Sequence, residues 1–335
     1  MKIDAGLPGA LEDVPARIRE FEEQGFDGVV TAELGGDPFF PLILAAEHSE
    51  RVELMTSIAV AFARNPMLLA YIANDLQAYS KGRFILGLGS QIKPHIENRF
   101  GMPWSQPAAR MREFILAIRA IWASWYEGSK LDFRGEFYNH TLMTPMFTPT
   151  DCSHGAAKIV LAAVGPKMTE VAGEVADGML VHPLTTKRYL EEITVPSVER
   201  GLAAVGRARA DFELCYPVFV VTGRDEKEWE QTRTAVSRQI AFYGSTPAYR
   251  GVLELHGWGA LQPELNALSK RSEWVAMGEL ISDEMLEEFA IVSQPEGVAK
   301  ALVDRFGGTI DRLVYSFPFA EGAERKEHLE ALRTA

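Results

Sequence analysis

Only two cysteines, Cys152 and Cys215, occur among 335 residues, and they lie far apart. That scarcity excludes a disulfide framework. It also excludes a zinc knuckle, because His154 beside Cys152 has no second ligand pair to complete a tetrahedral set. Basic residues are in short supply as well: 34 Lys and Arg stand against 46 Asp and Glu, a formal net charge of −12. Nucleic acid or an anionic membrane requires a basic face to neutralise phosphates, so neither partner is expected. No apolar run approaches the roughly 18 residues of a membrane span, and Met1 to Pro8 has no charged segment leading into an apolar one. The expectation is a cytoplasmic protein. Linkers rich in Pro, Gly or Ser are missing too, which leaves no place to cut the chain, and a single domain over 1–335 is expected.

What is present is a chain 47% hydrophobic and 24% charged, able to bury a large core. Short β-branched runs alternate with amphipathic helical patterns, the signature of a parallel sheet covered by helices. Eight strands are expected: Ile3–Leu7, Gly28–Thr31, Val52–Ala61, Arg83–Gly87, Ile159–Ala163, Gly178–Val181, Phe212–Val221 and Arg312–Ser316. Eight strand–helix units predict a closed (β/α)8 TIM barrel. Gly25 suits a left-handed helix cap, and Pro66 and Pro107 suit helix starts. In the helix after Pro107, Met111, Phe114, Ile115, Ile118, Ile121 and Trp122 recur at helical spacing and are expected to pack on the barrel. Two stretches exceed ordinary connections. Residues 131–150 read as a hairpin-like excursion before the fifth strand, and residues 243–288 as a helical insertion between the seventh and eighth.

Reactive groups of such a barrel belong on the loops after the C-terminal strand ends. This rule selects Glu33, the stretch Ala61–Asn65, the loop from Gly89 to Arg99, Val164 to Lys167, and His182. The turn Gly87-Leu88-Gly89-Ser90-Gln91 ends an apolar strand and lets a ligand approach bare backbone, or is simply a tight turn. It is no dinucleotide fingerprint, since Ile92 stands where the third glycine belongs. Lys93, His95, Arg99 and Trp104 follow it, a cationic and aromatic cluster suited to an anionic group on a ring-bearing cofactor. Ala162-Ala163-Val164-Gly165-Pro166 offers bare amides at a helix start, where a phosphate binds well, although a plain βα turn reads the same. His182, before Pro183, is a candidate substrate contact or a structural hydrogen-bonding group, and His256 with Trp258 either reaches over the pocket or folds the insertion. Glu47 and His48 fall within a helix and read as structural. No Ser-His-Asp set, metal-ligand cluster or Walker loop is present, so a bound organic cofactor is the better source of chemistry, with no metal.

Three blocks, Thr56–Pro66, Ser80–Gln91 with Arg99-Phe100-Gly101, and Ile159–Pro166 with Ala172–Gly178, together resemble the luciferase-like flavin and F420 family over nearly the whole chain. Stretches 241–250 and 255–258 resemble its F420-dependent oxidoreductase branch. The resemblance implies a non-proline cis peptide at Ser57-Ile58 backing a deazaflavin ring, with Ala59 beside it. It also implies that Gly89, Ser90 and Gln91, and Ala162, Ala163, Val164 and Gly165, hold the cofactor's side chain and phosphate. Sugar-phosphate dehydrogenases of the family carry an Asp-His pair after the second strand and a glutamate in the fourth-strand turn. Here stand Ala32-Glu33 and Ser90-Gln91-Ile92, which argues against that substrate. The expected activity is hydride transfer between F420 and a small organic substrate. Glu33 or His95 is the candidate proton donor or acceptor, and Trp104, His182 and His256 are candidate substrate contacts. The alternatives are an FMN-dependent monooxygenase and a cofactor-binding protein without turnover. The resemblance further implies a homodimer.

Overall fold

The computed structural model describes residues 1–7, 10–315 and 317–334. Eight parallel strands close on themselves: β1 (Lys2–Gly6), β2 (Gly28–Thr31), β3 (Glu53–Thr56), β4 (Phe84–Gly89), β5 (Lys158–Ala163), β6 (Gly178–Val181), β7 (Glu213–Pro217) and β8 (Arg312–Val314). Each pairs with its sequence neighbours, and β8 returns to β1 through Lys2 opposite Arg312. Helices α1 (Val14–Gln24), α2 (Phe39–Glu47), α3 (Pro66–Tyr79), α4 (Pro107–Tyr126), α5 (Pro166–Val175), α6 (Val195–Ala204) and α7 (Glu226–Gly244) follow the first seven strands in turn. The apolar stripe of α4 from Met111 to Trp122 is buried as its spacing requires. Ser316, the end of the expected eighth strand, and Pro8 lie outside the described residues.

Two expected strands are interrupted. Val52–Ala61 breaks after Thr56, where the Ser57-Ile58 peptide is cis, and resumes as a two-residue strand, Ala59–Val60, on β4. Phe212–Val221 divides at Val218: Glu213–Pro217 stays in the barrel, while Phe219–Val221 pairs with Ala290–Val292 outside it. An alternation of two cannot reveal either break, because the strands on both sides are buried almost continuously rather than on one face. His48 stands just past the end of α2 as its cap.

The 131–150 stretch forms a small antiparallel hairpin, Phe133–Arg134 on Asn139–His140. It is pinned to α4, because Glu113 accepts from the backbone N–H groups of Glu136, Phe137 and Tyr138 at 2.9, 2.7 and 2.5 Å. The 243–288 stretch is helical: α8 (Arg250–Leu255), α9 (Leu261–Lys270), α10 (Trp274–Glu279) and α11 (Asp283–Phe289). Together with Leu184, Tyr189, Val221 and Ile240 these helices bury an apolar cluster of their own around Val252, Leu253, Leu265, Met277 and Phe289. After it, α12 (Pro295–Phe306) leads to β8, and α13 (Gly322–Thr334) ends the described chain.

Inside the barrel, alternation along each strand stacks side chains in layers drawn from alternate strands. At the N-terminal end lies a charged floor. Lys2, Glu53, Lys158 and Glu213 form one layer through Lys2–Glu53, Lys2–Glu213 and Lys158–Glu213 pairs at 2.7, 3.7 and 3.4 Å. Above it Arg312, fully buried, grips both Asp4 oxygens at 2.8 and 2.7 Å and also bonds Glu53. Gly28 makes room for that pair, since a Cβ there would stand 2.7 Å from the Asp4 carboxylate. Burial pushes the Asp4 carboxyl up to about 6 against the pull of Arg312. Burial would raise Glu53 too, but Arg312 and Lys2 outweigh it and hold that carboxyl below its ordinary value. Over the floor sits an apolar plug of Val30, Met55, Ile85, Val160, Leu180 and Cys215. The floor and plug leave the opposite, C-terminal mouth as the end where chemistry can occur.

Candidate active site at the barrel mouth

The mouth is organised around the interruption in β3. Ser57 N–H donates to Thr31 at 2.6 Å, and Glu33 N–H reaches the Ile58 carbonyl at 3.3 Å. Thr56 staples the strand to β4 from the other side: its hydroxyl donates to the Gly87 carbonyl at 2.7 Å and accepts from the Gly87 N–H at 2.9 Å. The two strands come so close that a Cβ on Gly87 would stand 1.7 Å from the Thr56 carbonyl oxygen. Gly89 also has a packing role. The Ile58 side chain packs on it, so that a Cβ there would sit 2.9 Å from Ile58 Cδ1. The result is a half-buried Ile58 ledge resting on Gly89, with Ala59 buried behind it. Ser90 and Gln91 continue past the ledge, and Gln91 takes a positive φ of 60° that lets its side chain accept from the Ile92 N–H at 3.1 Å.

Glu33 has an occupation of its own. Its carboxylate accepts from the Val60 N–H at 2.7 Å and from Arg64 at 2.5 Å, and Arg64 also holds Asp37 at 3.0 Å. With Glu33 and Arg64 both largely buried, this network ties the β2 loop to the ledge. A carboxylate so paired suits a positioning role better than the proton transfer expected of it. His95 lies on a wide helical turn, His95–Arg99; its side chain is exposed and its ring has no hydrogen-bond partner among the described residues. Lys93 approaches Glu97 at 3.9 Å, and Arg99 donates to the Leu34 carbonyl at 2.8 Å. Trp104 packs edge-on against buried Phe62, centroids 5.7 Å apart, and the Arg110 guanidinium lies 4.4 Å from the same Phe62 ring. Trp104 is thus part of a wall.

At the end of β5, Ala162 and Val164 are half-buried and Ala163 is buried. Gly165 adopts φ 75° as the residue before α5, a conformation costly for any side chain, and nothing lies within 4 Å of the position of its missing Cβ. No side chain caps the start of α5, so behind Pro166, which has no N–H, the amides of Lys167 and Met168 lack a side-chain acceptor, as an anion site at a helix start requires.

The third side of the mouth is aromatic. His182 continues the inward alternation of Gly178 and Leu180. Its Nδ1 accepts from the Leu184 N–H at 3.1 Å, and its ring lies 4.7 Å from Tyr243 and 4.1 Å from Tyr249. Phe219 stacks beyond Tyr243. Burial pushes the His182 imidazole down to about 3, so it is neutral at physiological pH. His256 bonds the Thr186 hydroxyl at 2.8 Å and stacks on Trp258, centroids 4.7 Å apart. Thr186 in turn accepts from the Tyr189 N–H. His256 thus fastens the insertion to the β6 loop.

The mouth therefore gathers Glu33, Ser57, Ile58, Gly89 to Gln91, Ala162 to Gly165 and His182 from five strand ends. Sequence reasoning did not single out Arg64, Thr56, Tyr243 or Tyr249 as site groups. Arg64 lay within a flagged loop, and its value comes only from meeting Glu33. The two tyrosines lie more than 60 residues from His182, so only tertiary packing shows their relation to it. Cys215 is buried in the plug and Cys152 is half-buried; both are free thiols. Among the described residues no cluster of three metal-ligating side chains occurs, and no helix is long and apolar enough to cross a membrane.

Comparison with known proteins agrees with this geometry. The chain is 56% identical over 317 residues to an uncharacterized protein of Mycobacterium tuberculosis, covering 95% of this chain and 93% of that one. It is 26% identical to the 5,10-methylenetetrahydromethanopterin reductase of Archaeoglobus fulgidus, covering 94% and 92%. In three dimensions it superimposes on the coenzyme F420 dependent tetrahydromethanopterin reductase of Methanopyrus kandleri with a TM-score of 0.78 at 20% identity, over 99% of this chain and 96% of that one. The profile of the luciferase-like monooxygenase family matches residues 3–312. The chain belongs to that luciferase-like family.

Proposed function

We propose that this protein is an F420-dependent oxidoreductase that passes a hydride between the deazaflavin and a small organic substrate at the barrel mouth. The observation that carries the reading is the ledge itself, a half-buried Ile58 on Gly89, at the same end of the barrel as the start of α5, which no side chain caps. A flat ring needs an apolar support, and a phosphate needs bare N–H donors; this mouth supplies both. Ser57, Ile58 and Ala59 would back the ring, while Gly89, Ser90, Gln91 and Ala162 to Gly165 would hold its side chain and phosphate. Bound F420 supplies the hydride chemistry.

The chain's own residues supply position and proton handling. Glu33, clamped by Arg64 and Val60, keeps the ledge in place, and exposed His95 is the group left free to exchange a proton with solvent. Trp104 bounds the cofactor side and His182 the substrate side. The relatives described as F420-dependent support the cofactor choice. The decisive experiment is titration of the purified protein with F420, FMN and NADPH, followed by fluorescence. Saturable F420 binding without FMN binding is expected. Tight binding of reduced FMN and none of F420 would replace this reading with the monooxygenase one, which the family name favours. F420 binding without turnover on a carbonyl, enone and alcohol panel would leave a binding protein. A homodimer is part of the same proposal, supported by exposed apolar side chains on α2 and α3, Phe40, Ile43, Leu68 and Tyr79; light scattering tests it.

A further inference from the structure

The wall opposite the cofactor ledge carries information about the substrate. Its rings are His182 from the β6 end, Phe219 beyond β7, Tyr243 from the last turn of α7 and Tyr249 just before α8, with His182 4.7 Å from Tyr243 and 4.1 Å from Tyr249, and Phe219 6.3 Å from Tyr243. The Leu184 N–H points at His182 Nδ1, so that nitrogen is the acceptor and the proton resides on Nε2. Nε2 has no partner among the described residues, yet it is not sealed from solvent. A hydrogen-bond donor is thus held open between aromatic faces at an inward-pointing position.

The charges around this wall are already paired. Lys187 lies 3.8 Å from Glu191, Arg188 meets Glu192 at 2.8 Å, and Arg250 meets Glu254 at 2.7 Å. Each of these exposed cations is engaged along its own helix, and none is among the groups that touch the His182 ring. The phenols of Tyr243 and Tyr249 are held in the neutral form by burial, Tyr249 at about 12. An anionic substrate would find no counter-charge here, and a compound with only donor groups would find no acceptor on His182.

We infer that this half of the mouth takes an uncharged, flat carbonyl compound, its oxygen accepting from His182 Nε2–H and its plane lying against Tyr243 and Tyr249. This rests on the F420 reading for the reaction but not for the binding. His182 acts as a positioning residue that orients the carbonyl, and the insertion is the specificity element.

The test uses the whole protein with 1-indanone as probe and benzoate and glucose 6-phosphate as anionic controls, binding being read by saturation-transfer NMR. Indanone is expected to bind saturably and the two anions not to. His182→Phe keeps an aromatic ring and removes the donor, and is expected to weaken indanone about tenfold, the loss of one hydrogen bond. His182→Gln, which retains an N–H donor, is expected to recover part of that loss. Long-range 1H–15N correlation should show His182 in the Nε2–H form from about pH 5 to about pH 8. Equal or tighter binding of the anions, unchanged affinity in His182→Phe, or a His182 ring protonated on Nδ1 would each overturn the inference. F420 is titrated into the same samples by fluorescence. Binding of F420 without indanone defeats this inference alone, and binding of indanone without F420 defeats only the cofactor reading.

Discussion

Replacing Glu33 separates a positioning carboxylate from a proton-transferring one. In Glu33→Ala the Val60 N–H, 2.7 Å from the lost oxygen, becomes an unsatisfied buried donor, a cost of about 1–3 kcal/mol. Arg64 loses its contact at 2.5 Å but keeps Asp37 at 3.0 Å and the Val60 carbonyl at 3.2 Å. Its charge is therefore not orphaned, and the 3–5 kcal/mol expected for a stranded buried ion does not apply. The expected destabilisation is about 2–3 kcal/mol, a fall in Tm of about 3–4 °C for a chain of this size. Because the same contacts hold the Ile58 ledge, F420 affinity should fall about tenfold in parallel. Glu33→Gln keeps a carbonyl acceptor in the same place and should lose only about 1 kcal/mol, with F420 affinity near that of the parent. Thermal unfolding and fluorescence titration measure both. A Glu33→Ala protein melting within a degree of the parent would refute the clamp. Loss of turnover in Glu33→Gln equal to that in Glu33→Ala, with F420 binding intact in both, would restore Glu33 as the proton donor.

Other regions give equally definite expectations. Arg312→Met strands the fully buried Asp4, while Glu53 keeps Lys2 at 2.7 Å, and should cost about 3–5 kcal/mol by urea unfolding at pH 7.5; a loss under 1 kcal/mol would mean that the floor is hydrated. Asp4 is raised to about 6 in the folded chain, so the stability it contributes is fully present below its ordinary carboxylate range and is lost as pH rises through about 6. Relative to Asp4→Asn, the parent should lose roughly 2–2.5 kcal/mol between pH 4 and pH 7, and a flat difference would contradict the raised value. Gly87→Ala sets a Cβ against the rigid Thr56 carbonyl and should abolish soluble folded protein, whereas Gly89→Ala meets only the end of the Ile58 side chain, so it should fold and bind F420 at least about tenfold more weakly. Glu113→Ala removes three hydrogen bonds from the 131–150 hairpin and should speed proteolytic nicking between Phe133 and His140, with the barrel left intact.

The barrel was legible in the sequence because its causes are local. β-branched runs, helix-opening prolines and the α4 stripe from Met111 to Trp122 each state their structure within a turn or two of chain. The charge deficit and the two distant cysteines likewise bounded partners and metals without any fold. The family blocks located the mouth, including the cis bond at Ser57-Ile58. The roles within the mouth depended on pairs far apart in the chain. That Gly89 seats the Ile58 side chain, and that Arg64 and Val60 reach Glu33 across 27 residues or more, shows only in the folded chain. His182 meets Tyr243 and Tyr249 only because the insertion folds back over β6, and Arg312 meets Asp4 only because the last strand closes on the first. A sequence declares which faces are apolar and where the chain must turn. Which polar groups are already paired, and so which remain free for chemistry, is set by long-range contacts that only the closed barrel creates.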